Sequence, residues 1–530
     1  MNPTNPLVGP MLTDLYQLTM AYAYWRAGKQ DQRAVFDLFY RTRPFGGTYA
    51  IFAGFEECLR FLGGFRFTDA DLAYLRQVMP RADPGFFDWL RTVDCSRVTV
   101  WATGEGSLAF PRVPMMRVEG PLAVAQLLET TLLSLVNYPS LVATCASRFR
   151  LAAGWDKTLL EFGLRRAPGP DGGLSASRYA VLGGFDATSN VLAGKLFDVF
   201  VRGTHAHAYV ESFRGLSDLK SRMLVDRATG AEREFVARVL EHRDAAGRGN
   251  THEGELAAFI NYAQAFPDTF LALVDTYDTL RSGVPNFISV ALALEEFGYA
   301  AAGIRLDSGD LAYLSNEARR MFGEARAAAG PGAAGWTIVA SNDIGVDTIQ
   351  SLNAQGHSID VFGIGTKLVT CEGWPSLGGV YKLVALDGEP RIKLSNQIEK
   401  ITLPGRKDAW RLYGKDGKAI ADLLCCADEA PPQAGEPIVC RDPFDAMKRM
   451  RVTPSEVECL LQPCWAEGTR HGDRPVANAT HPSIRHQLGR LRDDHTRFLN
   501  PTPYKVSVSE ELFRQLRRLV EVEQPVAEVE

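Results

Sequence analysis

Arg305 and Asp307 stand two residues apart in Gly303–Asp310, which reads GIRLDSGD. The stretch opens as an apolar strand and breaks at Ser308-Gly309. A strand sends alternate side chains to opposite faces, so Arg305 and Asp307 share one face and Ile304 and Leu306 the other. Opposite charges on one face at a strand's end serve either a ligand site or a buried ion pair. As a site, Arg305 can grip a carboxylate in bidentate fashion. Asp307 and Asp310 can hold ribose hydroxyls or a magnesium ion, which takes a few carboxylates beside phosphate oxygens. Gly309 and Asp310 then stand at a helix N-terminus, which suits an anion. Gly363-Ile364-Gly365-Thr366 offers backbone amides to a phosphate. His207, in GTHAH, can move a proton near neutral pH or take a phosphoryl group. A strand through that segment puts His205 on the same face, so periodicity does not choose between the two. Ser-His-Asp order, H-E-x-x-H and a Walker A loop are absent from the sequence. The inventory is a carboxylate clamp, a phosphate cradle and a histidine. A phosphorylated sugar meeting a small acid fits it.

These residues have to be positioned by a regular scaffold, and from Thr269 onward the sequence supplies one. Strand FLALVDTYD precedes helix NFISVALALEEFG, and strand AAAGIRLD precedes helix DLAYLSNEARRMF, with Leu311, Leu314, Ala318 and Met321 on one face. Strand TIVAS leads to helix VDTIQSLNAQ with Gly356 as its stop, and strand SIDVFGIGT follows. Alternating strands and helices imply a parallel sheet. Hydrophilic residues fall at each strand's C-terminal end: Asp275 and Asp278, Arg305 and Asp307, Ser341 to Asp343, Thr366 and Lys367. That is the functional mouth of an α/β barrel, of which about four units are legible.

The flanks read differently. Residues 13–25 form a helix on which Tyr16 and Met20 make an aromatic packing stripe. Residues 35–40 form a strand, then Arg41-Thr42-Arg43 enter a Gly-Gly loop, and residues 48–62 return to helix. Residues 98–118 hold short strands, and residues 121–164 are mostly helical, kinked or divided at Pro139. Residues 165–194 are rich in Gly, Ser and Arg and predict an irregular exposed loop. Residues 199–209 read as a strand, and 211–256 as a polar helical excursion. After Gly378, Asp387-Gly388 and Asp416-Gly417 mark hairpins in an antiparallel part. Residues 430–480 are Pro-rich and loosely patterned, and the chain ends on a surface helix.

Composition narrows the class. At 530 residues the chain holds two to four domains. Its hydrophobic fraction of 46% and charged fraction of 23% are those of a globular enzyme. A net charge of −5 argues against a nucleic-acid partner. No apolar run spans a bilayer, and the N-terminus lacks a secretory pattern. Nine cysteines at irregular spacing fit reduced thiols in the cytoplasm, without a zinc pattern.

Seven patterns in order resemble the nicotinate phosphoribosyltransferase family, in its longer, animal-like branch. They are LTDLYQLTMAYAYW (12–25), YRTRPFGG (40–47), LGGFDATSN (182–190), GTHAH (203–207), GIRLDSGD (303–310), VASND (339–343) and GIGTKLVT (363–370). The resemblance implies an irregular parallel α/β barrel of the type II phosphoribosyltransferase kind, with an N-/C-terminal β-rich α+β domain. It places the borders at 1–125, 126–380 and 381–530. It implies that nicotinate attacks phosphoribosyl pyrophosphate, with ATP as co-substrate and Mg2+ accompanying the polyphosphates. By resemblance, His207 becomes a phosphohistidine. Arg305 and Thr204 meet nicotinate, whose ring lies between Phe185 and Tyr16, the latter from the second subunit of a homodimer. Asp307 binds ribose. Gly309, Asp310, Ser341, Asn342, Gly365 and Thr366 bind phosphates, and Arg166 the pyrophosphate. No resident metal site, nucleic acid or membrane is implied. The rivals are nicotinamide phosphoribosyltransferase and a non-catalytic binding protein of the same fold. The amide enzyme carries an acidic residue after the Gly-Thr turn, where this sequence has His205. Quinolinate phosphoribosyltransferase would call for more basic residues, and a metal-dependent lyase would use Asp307 and Asp310 as ligands.

Overall fold

The computed structural model describes residues 5–329, 335–395, 397, 400–471 and 481–524. The chain forms two compact units. One gathers residues 148–167 and 185–370; the other gathers 1–147, 168–184 and 371–530. The sequence places borders at 125/126 and 380/381; here 126–147, 168–184 and 371–380 group with the terminal segments.

The central unit is built on six parallel strands: β1 Thr158–Glu161, β2 Ala187–Thr188, β3 Leu271–Leu273, β4 Gly303–Leu306, β5 Thr337–Ala340 and β6 Val361–Ile364. They pair in the order β3-β4-β5-β6-β1-β2. Every pairing is parallel, so all six C-terminal ends lie on one side. Helices Val284–Glu296, Leu311–Ala329 and Val346–Gln355 make the crossovers. Leu311, Ser315, Ala318, Phe322 and Ala325 are buried along Leu311–Ala329, at the spacing of one helical stripe. Phe322 meets the edge of Trp336, which also receives Phe287 at 5.4 Å. The α/β class and this strand-helix alternation are as the sequence predicts.

The other unit carries a seven-stranded sheet and a six-stranded sheet. Strand Arg33–Tyr40 is central in the first, buried from Ala34 onward and paired on both sides. The Asp387-Gly388 hairpin has φ of 50° and 84°, the left-handed pair that a tight turn demands. Deep charges are matched: Lys407 Nζ lies 2.5 Å from Asp37, and Arg411 holds Asp422 through two bonds of 2.8 and 2.9 Å.

Several local expectations change. Residues 165–194 contain helix Gly169–Leu182, because small residues there pack tightly; a Cβ on Gly183 would lie 2.3 Å from the Ala143 carbonyl. The 48–62 helix starts only at Phe55, after left-handed Gly54 (φ 91°). Pro139 neither stops nor divides helix Glu129–Ala153. Tyr16 and Met20 are not the packing face of helix Leu15–Arg26; Gln17, Leu18 and Ala21 are. The 211–256 excursion contains a hairpin, Met223–Val225 with Glu232–Glu234, before its helices. The 430–480 region holds strands from Ile438–Arg441 to Thr469–Arg470, and its residues 472–480 lie outside the described residues.

Candidate functional site

The strand ends of the central unit bring a compact set of polar groups together. Arg305 is the third residue of β4, and its side chain is 17% exposed. Its Nη2 donates to Asp307 Oδ1 at 3.1 Å and its Nε to Ser341 Oγ at 2.8 Å. The Ser341 hydroxyl donates in turn to Asp307 Oδ1. Burial pushes the Asp307 carboxyl up, but the Ser341 hydroxyl and the Arg305 guanidinium outweigh it and hold the group below its ordinary value. Phe162, just past β1, lies under Arg305 with 5.8 Å from ring centre to guanidinium. An arginine fixed on one face by an aromatic ring and along one edge by a serine is oriented for planar anion recognition.

His207 opens the short helix His207–Glu211 and does not lie on a strand. Only Val201 in this stretch bridges to β2. The shared face expected for His205 and His207 is therefore absent. His207 Nδ1 sits 3.0 Å from Thr276 Oγ1. Its Nε2 is 3.8 Å from Asp307 and 4.0 Å from Asp275. His205 instead is buried among Tyr209, Tyr262 and Phe259. Its Nε2 accepts the Leu273 amide at 3.3 Å, and burial lowers its pKa to about 4.

The remaining residues fall into three situations. Gly309 (φ 78°) and Asp310 form the turn after β4, and Asp310 Oδ1 accepts the Tyr313 amide at 3.0 Å as a helix cap. Asn342 and Asp343 follow β5 with φ of 102° and 49°. Two successive left-handed side-chain-bearing residues store strain of the kind found at ligand clamps. Gly365 and Thr366 begin the short helix Thr366–Val369 after β6. Arg166 ends the 3-10 turn Leu164–Arg166, and Thr204 Oγ1 donates to the His205 carbonyl at 3.3 Å. Phe185 is 1% exposed with Phe149 on its edge, so both its ring faces are covered by protein here. Tyr16 belongs to the other unit and is 47% exposed.

Three contributors, Thr276, Phe162 and Glu161, lie outside the residues that the sequence singles out, and a fourth, Asp275, is among its strand-end residues without an assigned role. Asp275 Oδ2 accepts from the Asp307 amide at 3.1 Å and from the Ser308 hydroxyl, while its Oδ1 is buried without a hydrogen bond. Asp275 follows β3 as Asp307 follows β4, at the strand end where the sequence places it. Thr276 and Phe162 follow their strands in the same way. Glu161 is fully buried and accepts from the Gly163 amide and the Thr188 hydroxyl, fastening the loop after β1.

A parallel α/β sheet whose strand ends gather an arginine, two carboxylates and a histidine is a scaffold suited to a group-transfer enzyme. Residues 11–137 match the nicotinate phosphoribosyltransferase N-terminal domain and 406–516 its C-terminal domain. Across 542 residues the chain is 52% identical to nicotinate phosphoribosyltransferase 2 of Arabidopsis thaliana, covering 100% of this chain and 97% of that one. It is 50% identical to the Homo sapiens nicotinate phosphoribosyltransferase, with 95% of each covered. The human nicotinic acid phosphoribosyltransferase crystal structure superposes with a TM-score of 0.86 at 47% identity, over 96% of this chain and 99% of that one. The chain belongs to the nicotinate phosphoribosyltransferase family.

Proposed function

We propose that the protein joins nicotinate to phosphoribosyl pyrophosphate, giving nicotinate mononucleotide and pyrophosphate, the first step from nicotinate to NAD. Arg305 carries the reading: its guanidinium is braced by Phe162 and Ser341 at the strand ends of a chain of this family. It takes the pyridine carboxylate, with Thr204 beside it, and the ring lies against Phe185 once that side chain's surroundings open. The pyridine nitrogen has a free lone pair and requires no base. The C1–N bond forms as the C1–O bond to pyrophosphate breaks, and the leaving group keeps the electron pair. Catalysis is positioning and charge stabilisation. Asp307 holds the ribose. The amides of Gly309 and Gly365, with Asp310, Ser341, Asn342, Thr366 and Arg166, receive phosphate groups.

ATP drives the transfer. His207 takes its γ-phosphoryl group, ADP leaves, and water later hydrolyses the phosphohistidine to phosphate. Asp275 and Asp307 face the ring and offset the positive charge that it gains on phosphorylation. Asp275, whose Oδ1 is buried without a hydrogen bond, and the Asp307 carboxylate would hold a magnesium ion accompanying the polyphosphates, and that ion would supply neutralisation of phosphate charge. The half-exposed Tyr16 supports a homodimer in which this ring completes the site of a second copy. Nine cysteines at irregular spacing fit a cytoplasmic setting; among the described residues no helix is long and apolar enough to cross a membrane.

Initial rates with nicotinate and nicotinamide, each with and without ATP, test the reading. Faster turnover of the amide, or no turnover of either, would overturn it. A carboxylate at position 205 would favour the amide enzyme. His205 instead is a neutral histidine packed among aromatic rings.

A further inference from the structure

The terminal-segment unit contains a cavity of about 790 Å³. Its walls carry six cations, Arg41, Arg43, Arg112, Lys448, Arg449 and Lys505. They come from four separate stretches of chain. One lining carboxylate, Asp442, stands among them, and its Oδ1 already accepts the Phe444 and Asp445 amides at 2.9 and 3.0 Å. Asp445 pairs with Lys448 at 3.2 Å, and Glu510 is taken by Arg441. The concavity thus keeps a surplus of positive charge although the whole chain is at −5. Like charges drawn into one concave wall repel each other and focus the field on whatever enters.

Part of this wall is preset. Arg112 holds a left-handed backbone (φ 72°), its amide donates to the Tyr40 carbonyl at 2.8 Å, and its guanidinium lies 4.6 Å over the Phe444 ring. A cation held before the ligand arrives loses little freedom on binding. The rim adds apolar surface: Met447 is 88% exposed, and Met450 lies beside Lys505. The volume lies within the usual range for small-molecule sites and exceeds what a single phosphate fills.

We propose that this cleft binds a nucleoside polyphosphate, with its phosphates on Arg43, Arg112, Arg449 and Lys505 and its organic part against Met447 and Met450. The site is separate in composition from the residues assigned to phosphoribosyl transfer, and the proposal does not depend on that activity.

Titration calorimetry of the full chain with the non-hydrolysable imido analogue of ATP tests this. The Arg43→Glu/Arg449→Glu/Lys505→Glu variant is expected to lose one bound analogue per chain, or to bind it at least tenfold more weakly. The milder Arg43→Gln/Arg449→Gln pair gives a smaller loss in the same direction, with an unchanged melting temperature reporting an intact fold. Asp307→Ala is expected to keep the cleft-bound analogue, which separates this site from the proposed catalytic one. Unchanged affinity and stoichiometry in the charge-reversed variant would overturn the proposal. Displacement of the analogue by an equal concentration of orthophosphate would do so too, since it would reduce the cleft to a spot for single anions.

Discussion

His205 is packed among three aromatic rings, and His207 stands beside two carboxylates. Burial holds the His205 pKa at about 4, from an ordinary 6.5. The unfolded chain therefore takes a proton that the folded one refuses. Stability should fall as pH drops from about 6.5 toward 4, by roughly 2–3 kcal/mol from this residue. Urea midpoints across that range should decline less in His205→Gln, which retains an acceptor for the Leu273 amide but does not titrate. His207→Ala should abolish stimulation by ATP and leave a slow ATP-independent transfer. Acid-labile label from γ-labelled ATP appearing in that variant at the wild-type level would refute the phosphohistidine. Arg305→Ala should weaken nicotinate binding by about 2–5 kcal/mol, read as a rise in KM or in a calorimetric Kd. An unchanged nicotinate affinity would remove Arg305 from that role.

The elements explain which of these residues were legible beforehand. Repeated strand-helix units and the charges at their C-terminal ends are local patterns, and they located Arg305, Asp307, Ser341 and Gly365 directly. The 203–207 turn was misread as strand because alternation in GTHAH mimics one, while the helix that begins at His207 spans only five residues. Helix Gly169–Leu182 is hidden by its glycines, which read as loop, and the close approach of Gly183 to the Ala143 carbonyl just past its end is a tertiary contact that no local pattern shows. Nothing local marks Asp275 as the partner of Ser308, since that contact depends on how β3 and β4 register. Close approach also governs β4 itself. Gly303 has φ of 154°, and a Cβ there would stand 2.0 Å from the Thr337 carbonyl. Gly303→Ala should cost about 3 kcal/mol or more by forcing β4 from β5, visible as a lowered Tm together with lost activity. A melting temperature equal to wild type would show that the strands can part without cost.

At the scale of the whole molecule, the homodimer reading makes a test available that single variants do not. Tyr16→Ala and His207→Ala chains, each inactive in ATP-coupled synthesis, should recover activity when refolded together, because a mixed pair contains one site with neither change. Absence of recovery in a mixture shown to contain mixed pairs would place Tyr16 and His207 of one chain in the same site. The grouping of residues 1–147 with 371–530 has a consequence for how a cell makes this protein. Strand Arg33–Tyr40 leaves the ribosome early, yet one of its two edges pairs with Gly379–Leu386. Until translation passes residue 386, that apolar ribbon has an open side, and its partner is some 340 residues away. Such distant pairing is slow, and an unpaired edge on a nascent chain invites aggregation. The central unit, continuous from 185 to 370, can form meanwhile. A newly made chain is thus expected to expose its N-terminal sheet edge to chaperones for most of its synthesis, and to release it only when the last third emerges.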